Sequence, residues 1–271
     1  MKRVAALFSD SFTLKQGLTM KPKLTLVGAG PGDPELITLK GVKALQNADV
    51  VLYDALVSTE LLAYAPAHAQ IVYVGKRRGR CEFVQQDLNQ LIVDYALNYG
   101  HVVRLKGGDS FVFGRGYEEI VYAQEFGIET NVVPGISSSI SVPELAGIPL
   151  TCRSVSESFW VLTGTTKNHT LSNDVAKAAH STATLVILMG MQHLSQITQL
   201  LAEAGRADTP VAIIQNGSTP DQKIGLGTVS NITEVVEKEN LANPAIIVVG
   251  EVVRLHPSYQ NGRIETLMAF G

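Results

Sequence analysis

Apolar and polar positions along this chain alternate between two periods. Short strand-like runs recur at residues 24–27, 50–53, 71–74, 102–105 and 130–133. Each is closed by glycine or a polar cluster, which predicts short buried strands. Between them the period lengthens. Residues 35–48 set Ile37, Gly41, Ala44, Leu45 and Ala48 on one helical face, and residues 84–99 do the same with Val84, Leu88, Leu91, Ile92 and Tyr95. Strands alternating with helices predict a mostly parallel sheet covered on its faces.

The pattern then restarts. Further strands are predicted at 159–163, 185–189, 211–215 and 246–250, with helices near 191–204 and 231–239. Val133-Pro134-Gly135-Ile136-Ser137-Ser138-Ser139 lies between the halves and has the composition of a hinge. The expected fold class is therefore α/β: two α/β domains, 23–134 and 135–257, with a ligand cleft between them. Residues 1–22 read as an N-terminal tail, with Met20 a natural start before the first strand, and 258–271 as a C-terminal tail. Trp160 is expected in the core of the second domain.

Composition narrows the function classes. The chain has 271 residues, 45% of them hydrophobic, and a net charge of −3. That argues against a general nucleic-acid binder, whose basic footprint would dominate. No apolar run approaches the roughly 18 residues of a membrane-spanning helix. The two cysteines, Cys81 and Cys152, stand far apart in no metal-ligand pattern, which suits a reducing cytoplasm and gives no sign of a metal site.

Candidate chemistry gathers at the strand ends. The first strand runs into Gly28-Ala29-Gly30-Pro31-Gly32-Asp33, the second into Tyr53-Asp54, and the third into Gly75-Lys76-Arg77-Arg78-Gly79-Arg80. The fourth runs into Lys106-Gly107-Gly108-Asp109 and the fifth into Pro134-Gly135-Ile136-Ser137. In a parallel sheet these carboxyl ends share one edge, where ligands bind. The first loop lacks the third glycine of a dinucleotide fingerprint, since Asp33 stands there, and Pro31 removes an N–H donor. A ligand other than a phosphate is expected. Asp109 either accepts from a ligand or caps the following helix. Asp54 is either a proton acceptor or a strand-end turn residue. Between Gly75 and Arg115 seven basic residues face four acidic ones. They form either a solvated loop or a mouth for a polyanionic substrate.

Taken together, these strings resemble the uroporphyrinogen-III C-methyltransferase family of the tetrapyrrole methylase superfamily. The resemblance also rests on Tyr53-Asp54-Ala55-Leu56-Val57-Ser58, Phe113-Gly114-Arg115-Gly116-Tyr117-Glu118-Glu119 and Gly147-Ile148-Pro149-Leu150-Thr151-Cys152-Arg153, and covers about residues 23 to 255. It implies a fold distinct from the Rossmann methyltransferases. It also implies a cytoplasmic homodimer that uses S-adenosylmethionine, without metal, to methylate uroporphyrinogen III at carbons 2 and 7. The product, precorrin-2, feeds sirohaem or cobalamin synthesis.

The resemblance assigns S-adenosylmethionine contacts to Pro31, Gly107, Gly108, Asp109, Val112, Ser137, Ser138, Met189 and Gly217. It makes Asp54 a proton acceptor and Lys76 a proton donor, although Lys76 could instead simply hold a propionate. Arg115, Glu118 and Arg153 fall around the tetrapyrrole; otherwise Arg115 and Arg153 are ordinary interdomain ion pairs. Ser110, Cys152 and Ser137-Ser138 depart from the usual proline, histidine and Thr-Ala. The rival readings are a later cobalamin-pathway methylase, a diphthine synthase, a nicotinamide-dependent oxidoreductase and a non-catalytic nucleotide-binding module.

Overall fold

The computed structural model describes residues 21–75 and 85–260. Cys81 and most of both predicted tails lie outside the described residues. The first sheet has the order β3-β2-β4-β1-β5 and is parallel throughout. The strands are β1 (Lys23–Gly28), β2 (Val50–Tyr53), β3 (Gln70–Tyr73), β4 (His101–Lys106) and β5 (Glu129–Val133). Helix α1 (Leu39–Leu45) and the 3-10 turn Thr59–Tyr64 cover one face, where Leu45 and Leu61 pack on Val27, Val51, Val103 and Leu105. Helices α2 (Gln85–Tyr99) and α3 (Gly116–Glu125) cover the other, where Ile92, Ile120 and Ala123 pack on Leu24, Leu26, Leu52 and Val102. Burial on both faces explains why the inner strands β1 and β2 are nearly continuous apolar runs, while the edge strands β3 and β5 are partly exposed.

The 35–48 segment is broken in two. Asp33 accepts from the Glu35 N–H and starts a short 3-10 turn, Pro34–Leu36. Thr38 is extended, and its hydroxyl accepts from the Gly41 N–H at 3.1 Å to cap α1. The hinge-like segment also begins a helix. Ser137 caps α4 (Ser138–Leu145), which lays Val142 and Ala146 against the second sheet.

The second sheet has the order β6-β7-β10-β8-β9. Its strands are β6 (Phe159–Thr163), β7 (Thr184–Leu188), β8 (Pro210–Gln215), β9 (Lys223–Thr228) and β10 (Ala245–Val249). Only β6 and β7 are parallel; β10 is antiparallel to β7 and β8, and β8 to β9. Helices α5 (Asn173–Ala178), α6 (Leu194–Glu203) and α7 (Ile232–Lys238) cover one face, and α4 covers the other. Strand β9 escapes the apolar pattern because Gly225 and Gly227 sit inside it, and side chains including Leu241 and Asn231 fill the space beside them. Trp160 is 42% exposed, contrary to expectation, because β6 is an edge strand. Tyr259, on the last short helix α8 (Pro257–Gln260), donates its hydroxyl to the Gly227 carbonyl at 2.6 Å and packs on the second-domain core.

Candidate functional site

The site starts where the first sheet changes direction. Strands β1 and β4 are neighbours, yet the helix after β1 covers one face and the helix after β4 covers the other. The chain therefore leaves these two carboxyl ends in opposite directions, the arrangement at which ligands bind in such sheets. Here the two loops close on each other. The Gly30 N–H donates to the Gly108 carbonyl at 3.2 Å, and the Gly108 N–H donates to the Gly30 carbonyl at 2.7 Å. The Ala29 N–H donates to Lys106 O, and the Asp33 N–H to the Ser218 hydroxyl. These amides are engaged within the protein, so the glycine loop is no phosphate cradle of the dinucleotide type. Asp33 is a turn cap and an interdomain donor.

Three glycines let the strand-end loops cross. A β-carbon on Gly135 would press on the Gly108 carbonyl and on Cα of Gly28. Gly108 itself has φ +65 and open space beside it: a β-carbon there would find Ser138 N as its nearest neighbour, at 3.9 Å. Asp109 ties the crossing together. One carboxylate oxygen accepts from the Phe111 N–H at 2.8 Å and the other from the Gly135 N–H at 2.9 Å. It does not cap α3, whose first residue lies seven positions on. Val112 follows in the same turn, donating its N–H to Asp109 O.

The second domain presents its own carboxyl edge. Thr163 pairs with Leu188, Leu188 with Ile246, and Gln215 with Ala245, so β6, β7 and β8 all end at one side of the sheet. Met189 and Gly217 follow β7 and β8 there. Met189 has φ 55, Asn216 φ 48 and Ser218 φ 69, left-handed conformations that non-glycine residues seldom adopt without cause. Gly217 packs on Val142 of α4, and a β-carbon on Gly32 would meet Thr219 Cγ2 at 2.8 Å. The two carboxyl edges thus face each other. Pro31, Gly107, Gly108, Asp109 and Val112 lie on the strand-end loops of the first domain, Ser137 and Ser138 at the start of α4, and Met189 and Gly217 on the strand-end loops of the second. The Ser137 hydroxyl is engaged locally, accepting from the Ser139 N–H as the α4 cap.

Asp54, at the end of β2, is half-buried. Its carboxylate accepts from the Leu56 N–H at 3.2 Å and lies 3.4 Å from Arg104 Nη2. Arg104 belongs to a buried charged group that sequence reading missed. Arg104 and Lys106, on one face of β4, are 3% and 5% exposed, and Glu119 of α3 is 1% exposed. Lys106 Nζ donates to Glu119 Oε1 at 2.8 Å, and Arg104 Nε stands 3.7 Å from the same oxygen. Burial, and then Arg104, pushes the Lys106 ammonium below its ordinary range, while Glu119 pulls it back. The available signals were two cations spaced by two in an apolar strand, and an acid on the Gly116–Ile120–Ala123 stripe of α3.

Arg115 and Glu118 form an exposed bidentate pair, at 2.8 and 2.6 Å. The Arg115 hydrogen bond is the main reason that the Glu118 carboxyl is held below the usual range. Arg153 is exposed on the turn after α4, and among the described residues no ion pair or hydrogen bond joins it to Arg115 or Glu118. Arg115 is therefore no interdomain pair. Lys76 and its arginine-rich neighbours lie outside the described residues.

Residues 23–233 match the family model of the Tetrapyrrole (Corrin/Porphyrin) Methylases. A uroporphyrinogen-III C-methyltransferase of Methanocaldococcus jannaschii is 50% identical over 238 residues, covering 87% of this chain and 98% of the relative. A siroheme synthase of Actinobacillus succinogenes is 47% identical over 234 residues, which is 86% of this chain and 49% of that longer protein. The crystal structure of the Thermus thermophilus uroporphyrin-III C-methyl transferase complexed with S-adenyl homocysteine matches with a TM-score of 0.74 at 37% identity. That match covers 86% of this chain and 99% of the other.

Proposed function

The chain belongs to the tetrapyrrole (corrin/porphyrin) methylase family, and from that premise we propose that it is an S-adenosylmethionine-dependent C-methyltransferase. It methylates uroporphyrinogen III at carbons 2 and 7 and delivers precorrin-2 to sirohaem or cobalamin synthesis. The observation that carries this reading is the junction of the two carboxyl edges, where the Asp33 N–H meets the Ser218 hydroxyl at 2.9 Å. The domains divide at 134/135, with tails at 1–22 and 258–271. Strand β5 ends the first sheet at Val133 and α4 already packs on the second, which supports that division.

The walls suit an adenosyl donor. Open space beside left-handed Gly108 bares main chain to a flat ligand, and Met189 offers an exposed thioether. Pro31, Gly107, Gly108, Asp109 and Val112 would hold the donor from one side, and Ser137, Ser138, Met189 and Gly217 from the other. When bound, it supplies a sulfonium methyl group. The chain's own task is then orientation and proton removal. Asp54 takes the proton that the methylated carbon skeleton must lose. Arg115, Glu118 and Arg153 position the carboxylate-rich substrate. Lys76 donates a proton or holds a propionate. The protein works as a cytoplasmic homodimer, with neither nucleic acid nor a membrane as partner; no helix among the described residues is long and apolar enough to cross one.

Ligand-dependent melting tests the donor class. S-adenosylhomocysteine should raise the melting temperature and NAD should leave it unchanged. Stabilisation by NAD and none by S-adenosylhomocysteine would overturn the proposal.

A further inference from the structure

The buried charges beneath Asp54 are costly, and the fold alone does not require them. A carboxylate taken fully out of water must be repaid by partners of good geometry, and apolar side chains of similar size often serve stability as well or better. Glu119 is incompletely repaid. Its Oε1 receives Lys106 at 2.8 Å and Gln85 Nε2 at 3.4 Å, while its Oε2 is buried with no hydrogen-bond partner among the described residues. Arg104 Nε, 3.7 Å from Oε1, also lacks a hydrogen bond, so that contact is one of charge. The rest of the Arg104 guanidinium is fixed by the main chain. Its Nη1 donates to Leu105 O at 2.9 Å and to Leu52 O at 3.3 Å, which leaves Nη2 directed at Asp54.

The geometry points to Glu119 as a positioning residue for the methyl-transfer site, acting on Asp54 through Arg104. Arg104 and Lys106 carry two positive charges into a buried strand, and Glu119 and Asp54 carry the two negative ones. Glu119 neutralises Lys106 and holds the inner edge of Arg104, so that the outer edge of Arg104 faces Asp54 with one charge to share. Without Glu119, both cations are left with Asp54 as the remaining carboxylate of this group. Asp54 then faces the undivided charge of Arg104, whose main-chain hydrogen bonds still hold it in place. This inference rests on the reading of Asp54 as the proton acceptor.

The test compares four variants of the full chain: Glu119→Gln, Lys106→Met, the double variant, and Asp54→Asn. Folded sites are counted by S-adenosylhomocysteine binding, so that turnover is expressed per competent site. Glu119→Gln should lose kcat by about a hundredfold, the cost of a small misplacement at a reacting centre. KM for the tetrapyrrole and the affinity for S-adenosylhomocysteine should stay unchanged. The double variant removes one charge of each sign and should recover at least about tenfold of that loss; with turnover counted per competent site, a purely structural role would leave kcat unmoved in all of these variants. If Asp54→Asn loses turnover while Glu119→Gln keeps wild-type kcat per folded site, the inference is wrong and the reading of Asp54 stands. The inference also fails if the double variant is no better than Glu119→Gln. If Asp54→Asn keeps wild-type turnover, the underlying reading is wrong.

Discussion

Helix α3 carries two ion pairs on neighbouring residues, and they sit in different media. Glu118 grips Arg115 with both side chains about half exposed, at 52% and 53%. Glu119 grips Lys106 with the two at 0% and 7%. The distances are alike, 2.6 and 2.8 Å, yet the energetics are not. In water each charge of the outer pair has a good alternative, so the contact contributes little. Inside, each partner is the other's main compensation, and removing one leaves the other stranded. The outer pair can open at little cost; the inner pair cannot open without loss. A step of one residue along the helix thus separates a loose surface pair from a fixed electrostatic support.

Asp109 lies between these extremes, and three substitutions grade the comparison. Glu119→Ala should be the most damaging, costing about 3–5 kcal/mol of stability by leaving a buried cation unpaired. Denaturant unfolding measures it, and a cost as small as that of a surface pair would break the contrast. Asp109→Ala comes next. It strips the acceptor from two backbone N–H groups, Phe111 and Gly135, and should cost about 2 kcal/mol together with weaker S-adenosylhomocysteine binding by calorimetry. Unchanged binding would remove Asp109 from the donor wall. Arg115→Gln should be mildest, below about 1 kcal/mol, while raising KM for uroporphyrinogen III. Its pH signature sharpens the point. The Glu118 carboxyl is held low, so the pair's contribution is complete above the ordinary glutamate pKa and fades as pH falls through the lowered value. Arg115→Gln should erase that acid-side dependence, and a stability–pH curve identical to wild type would contradict it.

Much of this was legible in the sequence, for identifiable reasons. Strands β2 and β6 fall where the apolar runs predict, at Val50–Tyr53 and Phe159–Thr163, because short runs between turn residues have few other uses. Strand direction was not legible. An apolar run such as that of β10 reads the same in either sense, and only pairing to β7 and β8 makes it antiparallel. The failed dinucleotide loop was informative, but its physical basis was hidden. Gly30 and Gly108 spend their N–H groups on each other across residues far apart in sequence. The inner charged group was overlooked because a charge count along a window pools Arg104 and Lys106 with the loop cations. The alternation of β4 instead turns both toward α3, where Glu119 interrupts an apolar stripe. Arg115 and Arg153 were grouped as substrate grips, yet they stand on separate elements, and only a bound tetrapyrrole would bring them into one role.

The proposed activity of this junction is the transfer of two methyl groups to carbon. Incubation with S-adenosylmethionine and uroporphyrinogen III under exclusion of air, followed by product mass analysis, tests it most directly. The product should be heavier by the mass of two methyl groups. Recovery of unmodified uroporphyrinogen III, under conditions in which a control methyltransferase is active, would contradict it.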